Sequence, residues 1–589
     1  MNLPRRVTRL VVLSALLLGG LLIFYLLPFN EPRSVPIPPP KSKPPVPNAP
    51  ISTVSKPPVS IPNGFVPSSF DWSTVREHHV PGYIKPLPTE APRILPRVQA
   101  RATAFASSAV NENRLAAVRN AFKRSYDSYK KYAWMRDELT PITGSAKDPF
   151  GGWAATLVDS LDTLWIMGFK KEFKEAASAV GRIDWAHTEF EAANMFETTI
   201  RHLGGLLSAY DLSGEDVILR KAVELGEMLY HAFDTPNRIP GFWLDFAKAK
   251  AGKLFAGTND VSASPCSLSM EFTRLSQITG DPKYFSATDR ITQFLDTIQN
   301  DTSLPGMWPL NINFREEVAT DSTFTLGAGA DSLYEYFPKM HALLGGVDGV
   351  YEKLYRGSMD TAVKNLLFRP MLPNQDDILF SGEYRATKTG GLETDSQHLT
   401  CFVGGMFGLG GKLFGIDNHV NLGERLARGC GWAYSQFPTG IMPEIFGMLS
   451  CKTLEPCPWN EARWQEAGNP SLPKGFSHAN DKKYILRPEA IESIFVLYRI
   501  TGKSDFQDMA WDMFESIMKA TKTDLANSAI SDVTVNGPTD KVDSMESFWM
   551  AETLKYFYLI FSPPDVISLD DYVFNTEAHP LRRPRGKRT

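Results

Sequence analysis

Residues 206–218 read LLSAYDLSGEDVI, residues 272–285 read FTRLSQITGDPKYF and residues 494–506 read IFVLYRITGKSDF. Each is an apolar-periodic run that stops at a glycine and resumes within a few residues, the pattern of a helix ended by a glycine cap and followed by a second helix. Looser versions surround Gly345 and Gly415, an earlier one, DSLDTLWIMGF, ends near Gly168, and a last helix lies at WMAETLKYFYLIF. Gly214, Gly280, Gly345 and Gly415 are separated by 66, 65 and 70 residues, which suits one helix pair plus a return loop. The unit is an αα-hairpin, repeated about seven times, and the fold class is all-α. Periodicity alone leaves two arrangements open, an open solenoid and a closed ring.

Polar residues at the hairpin starts bear on that choice. Glu197 lies in MFETTIRHLGG, Asp331 in GAGADSLYEYF and Glu489 in LRPEAIES, with Gln397 and His398 in the corresponding place in SQHLTCF. Regular hairpins place all first-helix N-termini at one end, where a ring would make these side chains converge and a solenoid would string them along an edge. In LRPEAIES, Pro488 followed by Glu489 and Glu492 marks a helix start and puts both acids on one face of its first turn. Such a pair can activate water or hold the water shell of a hard cation; as mere complements to the helix dipole the acids contribute roughly 0.3 to 1 kcal/mol each. The glycine-rich run FVGGMFGLGGKLFG near Gly404 misses the spacing of a phosphate-binding loop and reads as close helix packing. Trp549, Met550, Tyr556 and Tyr558 read as core, whereas Phe548 is a candidate sugar-facing ring.

The chain ends read differently. Residues 10–29, LVVLSALLLGGLLIFYLLPF, carry no charge, and as a helix would span about 30 Å, enough to cross a bilayer. Arg5, Arg6 and Arg9 precede them, so residues 1–9 are expected to be a cytosolic tail and the remainder lumenal. Residues 30–100, rich in proline, serine and lysine, read as an extended stem, residues 101–580 as one large domain and residues 581–589 as a basic tail. A net charge of -4 without a basic stripe gives no support for nucleic-acid binding. The five cysteines, Cys266, Cys401, Cys430, Cys451 and Cys457, are an odd count in an oxidising compartment, so at least one stays outside intramolecular pairing. Asn300-Asp301-Thr302 is a glycosylation sequon.

Taken in order along the chain, DSLDTLWIMG, FETTIRHLGGLLSAY, GAGADSLYEY, HLTCF, LRPEAIES, AETLKYFYLIF and TEAHP resemble the class I α-1,2-mannosidases of glycoside hydrolase family 47. The resemblance implies a closed (α/α)7 barrel, a bound calcium ion, and inverting removal of terminal α-1,2-linked mannose from high-mannose N-glycans, from Man9 to Man5. Inversion needs one acid on the leaving oxygen and a second carboxylate that activates water, with carboxyls roughly 6.5 to 9.5 Å apart. On the family pattern Glu197 matches the general acid, Glu489 the general base, and Asp331 a third essential carboxylate with either role open. Thr576 of TEAHP matches the calcium ligand, through its carbonyl and hydroxyl oxygens. Glu492, Glu552 and Glu577 match acids that hold calcium's waters, and Arg201, His398, Arg487 and Phe548 match sugar-binding or carboxylate-orienting positions. The family's processing branch also implies a disulfide between Cys401 and Cys430.

Two positions depart from the pattern. Gly329 stands where endoplasmic-reticulum members carry arginine, which implies room for other glycan arms, and Gln397 replaces an aspartate before the histidine. The expected protein is a monomeric, single-pass enzyme of the Golgi or endoplasmic reticulum membrane. The alternatives are a degradation-enhancing relative that marks misfolded glycoproteins and a non-catalytic glycan-binding protein.

Overall fold

The computed structural model describes residues 64–105 and 109–586. The expected cytosolic tail, the membrane-spanning run at 10–29 and the start of the stem lie outside the described residues; among those described, no helix is long and apolar enough to cross a membrane.

Helix α1 spans Ala109–Tyr132. Six hairpins follow: α2 (Leu161–Ile166) with α3 (Lys170–Val180), α4 (Gly204–Ser213) with α5 (Asp216–Tyr230), and α6 (Ser269–Thr279) with α7 (Lys283–Ile298). Then come α8 (Asp331–Leu343) with α9 (Val350–Asn365), α10 (Phe402–Phe414) with α11 (Asp417–Gln436), α12 (Glu489–Thr501) with α13 (Asp505–Thr521), and finally α14 (Leu554–Phe561). The expected glycine stops are present. Gly214 and Gly502 both adopt φ of 72°, a left-handed conformation that a side chain would strain, and donate to the carbonyls of Tyr210 and Tyr498 at 2.8 Å.

Burial separates the helices into two layers. All but one residue of α8 and nearly all of α10 and α12 are buried around the whole circumference, as inner helices must be. In α5 the buried positions, Val217, Ile218, Ala222, Leu225 and Leu229, follow the three-to-four spacing of one face, so the other face meets water. The first helices pack in chain order, α2 on α4, then α6, α8, α10, α12 and α14, and the π-helical turn Trp549–Thr553 leading into α14 rests on α2. The partner of α14 is α1, from the other end of the folded region. The seventh helix pair is therefore assembled from both ends of the chain rather than from a local hairpin. The glycine-rich run is a packing device: a Cβ on Gly423 of α11 would stand 2.6 Å from the Gly404 carbonyl oxygen of α10.

Two boundaries change. The stem expected to reach residue 100 is, from residue 64, a strap laid on the second helices: Trp72 is buried against Phe246, Lys85 pairs with Asp289 at 2.7 Å, and Asp234 accepts the N–H groups of His78 and His79 at 2.9 and 2.6 Å. Proline disfavours helix here but does not prevent an extended segment from finding partners. The basic tail is also part of the fold, since Pro580–Arg582 pairs with Tyr572–Phe574 and the buried Arg583 donates to the Leu569 carbonyl at 2.6 Å. Cys401 and Cys430 form the implied disulfide, Cys451 and Cys457 form a second, and Cys266 is buried and free.

Candidate active site

At the heads of the first helices is a cavity of about 240 Å³. Glu197, Arg201, Asp331, Arg487, Glu489, Glu492, Phe548, Glu552, Thr576 and Glu577 all line it. They come from five separate stretches of chain. Glu197 ends a helical turn whose start is capped by Asn194, its side chain accepting the Glu197 N–H at 3.0 Å. Two of the stretches enter through π-helical turns, Thr198–Leu203 and Trp549–Thr553, whose extra width shifts Arg201 and Glu552 relative to an α-helical register.

Seven carboxylates line the cavity, the six named and Glu335, against the guanidinium groups of Arg201 and Arg487. Their surroundings differ. Burial pushes the pKa of Glu489 up, but the Arg487 guanidinium at 3.4 Å and a His398 Nδ1 contact at 2.8 Å outweigh it and hold the carboxyl below its ordinary value. Asp331, by contrast, is raised to about 7 by burial, only partly offset by the Ser332 N–H and reinforced by the charges of Glu335 and Glu489. This pair thus holds one carboxyl ionised at neutral pH and one that keeps its proton until about pH 7, the division of labour that acid–base chemistry needs.

On the Thr576 side the acids move together. Burial raises Glu492 to about 8 against the pull of Lys339 and Glu577 to about 7 against that of Arg201, and it raises Glu552 well above the carboxylate range, with Glu577 adding to it. The loop 575–579 is held by Asn575, which accepts the N–H groups of Glu577 and His579 at 2.9 and 2.8 Å and donates to Glu271 at 2.7 Å. Beneath it His579 and Lys555 meet Asp162, both at 2.8 Å. Among the described residues no three histidine, cysteine or carboxylate side chains converge as a direct metal chelate. The donor set around Thr576 is nevertheless all oxygen and short of positive charge, which suits a hard cation held through water by surrounding acids.

Three expectations are corrected or refined. His398 does not line the cavity: it is fully buried behind Glu489, with Nε2 against the Tyr434 hydroxyl at 2.7 Å, so its contact is with the carboxylate. Gly329 opens less room than its size implies, because a Cβ there would stand 3.1 Å from both Leu310 and Val261, which occupy the adjacent space. Gln397 accepts the Ala328 N–H at 3.0 Å and so pins the turn before Asp331. Glu335 was missed, although its position four residues after Asp331 in one helix was a usable signal. Glu444 was also missed; it pairs with Arg487 at 2.5 Å across 43 residues of sequence, and no local pattern announces it.

Carboxyls driven apart in proton affinity and lining one open cavity are the equipment that acid–base hydrolysis uses. Residues 121–583 match Glycosyl hydrolase family 47, and the chain belongs to that family. It is 35% identical over 480 residues to a mannosyl-oligosaccharide 1,2-alpha-mannosidase of Arabidopsis thaliana, covering 80% of this chain and 79% of that one. It is 32% identical over 495 residues to mannosyl-oligosaccharide alpha-1,2-mannosidase 1B of Aspergillus phoenicis, covering 81% and 93%. The structure superposes on alpha-1,2-mannosidase from Trichoderma reesei with a TM-score of 0.74 at 31% identity, over 81% of this chain and 100% of that one.

Proposed function

We propose that the protein removes terminal α-1,2-linked mannose from high-mannose N-glycans with inversion, trimming Man9 toward Man5. The observation that carries this reading is the meeting of Glu197, Asp331 and Glu489 in one cavity of a family 47 chain. Glu489, held ionised by Arg487 and His398, takes the proton from the attacking water. Glu197 protonates the leaving oxygen on the family pattern. One observation favours Asp331 for that step instead: it retains its proton to about pH 7, while the Glu197 carboxylate accepts from Arg201 Nε at 2.8 Å. Arg201 also donates to Glu577 at 2.9 Å and lies 5.8 Å from the Phe548 ring, so it ties the two sides of the sugar pocket together.

Thr576 would hold calcium, with Glu492, Glu552 and Glu577 fixing its waters, and the ion when bound would supply coordination positions that take and orient the mannose hydroxyl oxygens. The order of first-helix packing, returning from α14 through the turn Trp549–Thr553 to α2, supports a closed (α/α)7 barrel. The apolar run at 10–29 and the disulfides support a membrane-anchored lumenal enzyme of the Golgi or endoplasmic reticulum. Asn300 is exposed, which supports its glycosylation. The test is incubation of the protein with Man9 glycan, with and without a calcium chelator, following product size and anomer. Release of β-mannose only with calcium is expected; binding without release would defeat the reading.

A further inference from the structure

On the Glu197 side the cavity wall continues into exposed aromatic surface. Phe242 lines the cavity with Phe196 and Val261. The next residue, Trp243, is 38% exposed, and the two rings meet edge to face with centroids 5.7 Å apart. The strand Trp243–Asp245 pairs with Ala192–Asn194, placing Trp243 opposite Asn194, the residue that caps the turn bearing Glu197. Leu244 is fully buried, so strand alternation puts Trp243 on the outward face of this ribbon. Phe255, 55% exposed, belongs to the neighbouring segment: its carbonyl oxygen lies 2.9 Å from where a Cβ on Gly241 would stand. The Arg315 guanidinium sits 5.1 Å from the Phe255 ring.

Aromatic surface left in water is costly unless something covers it. Here they adjoin a polar cavity, the composition of a ligand-binding rim. A pyranose ring has an apolar face of C–H groups that packs on an aromatic ring while its hydroxyls stay in water. We propose that Trp243, edge on to Phe242 of the cavity wall, forms a stacking platform for the mannose rings beyond the terminal α-1,2-linked pair, so that the protein grips an oligomannose chain and not a terminal linkage alone. This rests on the glycan-hydrolase reading, which supplies the occupant of the cavity.

The experiment compares affinities, independent of turnover, in the full chain carrying Glu489→Gln. Adding Trp243→Ala weakens Man9 glycan binding about tenfold by calorimetry but changes α-1,2-mannobiose binding less than about twofold, and Trp243→Phe retains most of the affinity. Unchanged Man9 affinity, or an equal loss for both sugars, overturns the platform. Should the alanine variant fold poorly, intrinsic fluorescence decides: Man9 shifts the emission of the Glu489→Gln protein and not that of its Trp243→Phe derivative, and a shift that persists in the derivative overturns the proposal. A native protein that binds Man9 through Trp243 yet releases no mannose would remove the hydrolytic reading and support the platform.

Discussion

The two halves of the cavity treat buried carboxylates in opposite ways. Around Asp331 and Glu489 the surroundings split the pair, one acid raised to about 7 and the other lowered, because Arg487 and His398 both contact Glu489 while Asp331 has only a distant pull from Arg487 against its burial. Around Thr576 there is no such split: Glu492, Glu552 and Glu577 are all raised, and Lys339 and Arg201 offset only part of the burial. Glu489 and Glu492 make the contrast within one helical turn. Polarised acids can exchange protons with a substrate, whereas a uniformly raised cluster holds a deficit of positive charge that a cation removes.

The largest test of that contrast falls on the polarised half. Glu489→Gln is expected to lower kcat by about a hundredfold to ten-thousandfold while Man9 binding persists, measured by turnover and calorimetry. Unchanged turnover would take the base role away from this residue. On the other half, saturating calcium is expected to stabilise the protein by about 3 to 4 kcal/mol when it stands at 100 to 1,000 times its Kd, and Thr576→Ala should abolish that gain in thermal melts. If the variant keeps the full calcium-dependent gain, Thr576 does not hold the ion.

The pH dependence sharpens the split itself. With Glu489 as base and Asp331 as acid, the proposed mechanism predicts a rate that rises with pH below the ordinary glutamate range and falls as pH increases through about 7. Asp331→Asn should erase the alkaline limb if Asp331 is the acid; a limb that survives there but vanishes in Glu197→Gln assigns the role to Glu197. The smallest effect is expected from His398→Asn. Loss of the contact to Glu489 should move the acid limb upward and lower kcat about tenfold, read from the pH profile.

Much of this was legible because the signals are local. Glycine stops at Gly214, Gly280 and Gly502 and the helix start at Pro488 are set within a few residues, so the hairpins and the acids at their heads could be placed from sequence. The strap at residues 64–100 was not legible, since an extended segment shows no periodicity and its partners, such as Asp234 and Asp289, are remote. His398 could be singled out but its place behind Glu489 could not, because burial depends on Tyr434 and α12 together.

The sequence by itself determined the repeated hairpin, the order of the carboxylates along the chain and the family, for each is written in short-range spacing. Only the tertiary structure decided that α1 completes the pair with α14, that seven acids share one cavity, and which of them stays ionised. The physical reason is that a carboxyl's proton affinity is fixed by burial and by charges within a few ångströms, and burial together with neighbours such as His398 beside Glu489 is supplied by parts of the chain remote in sequence.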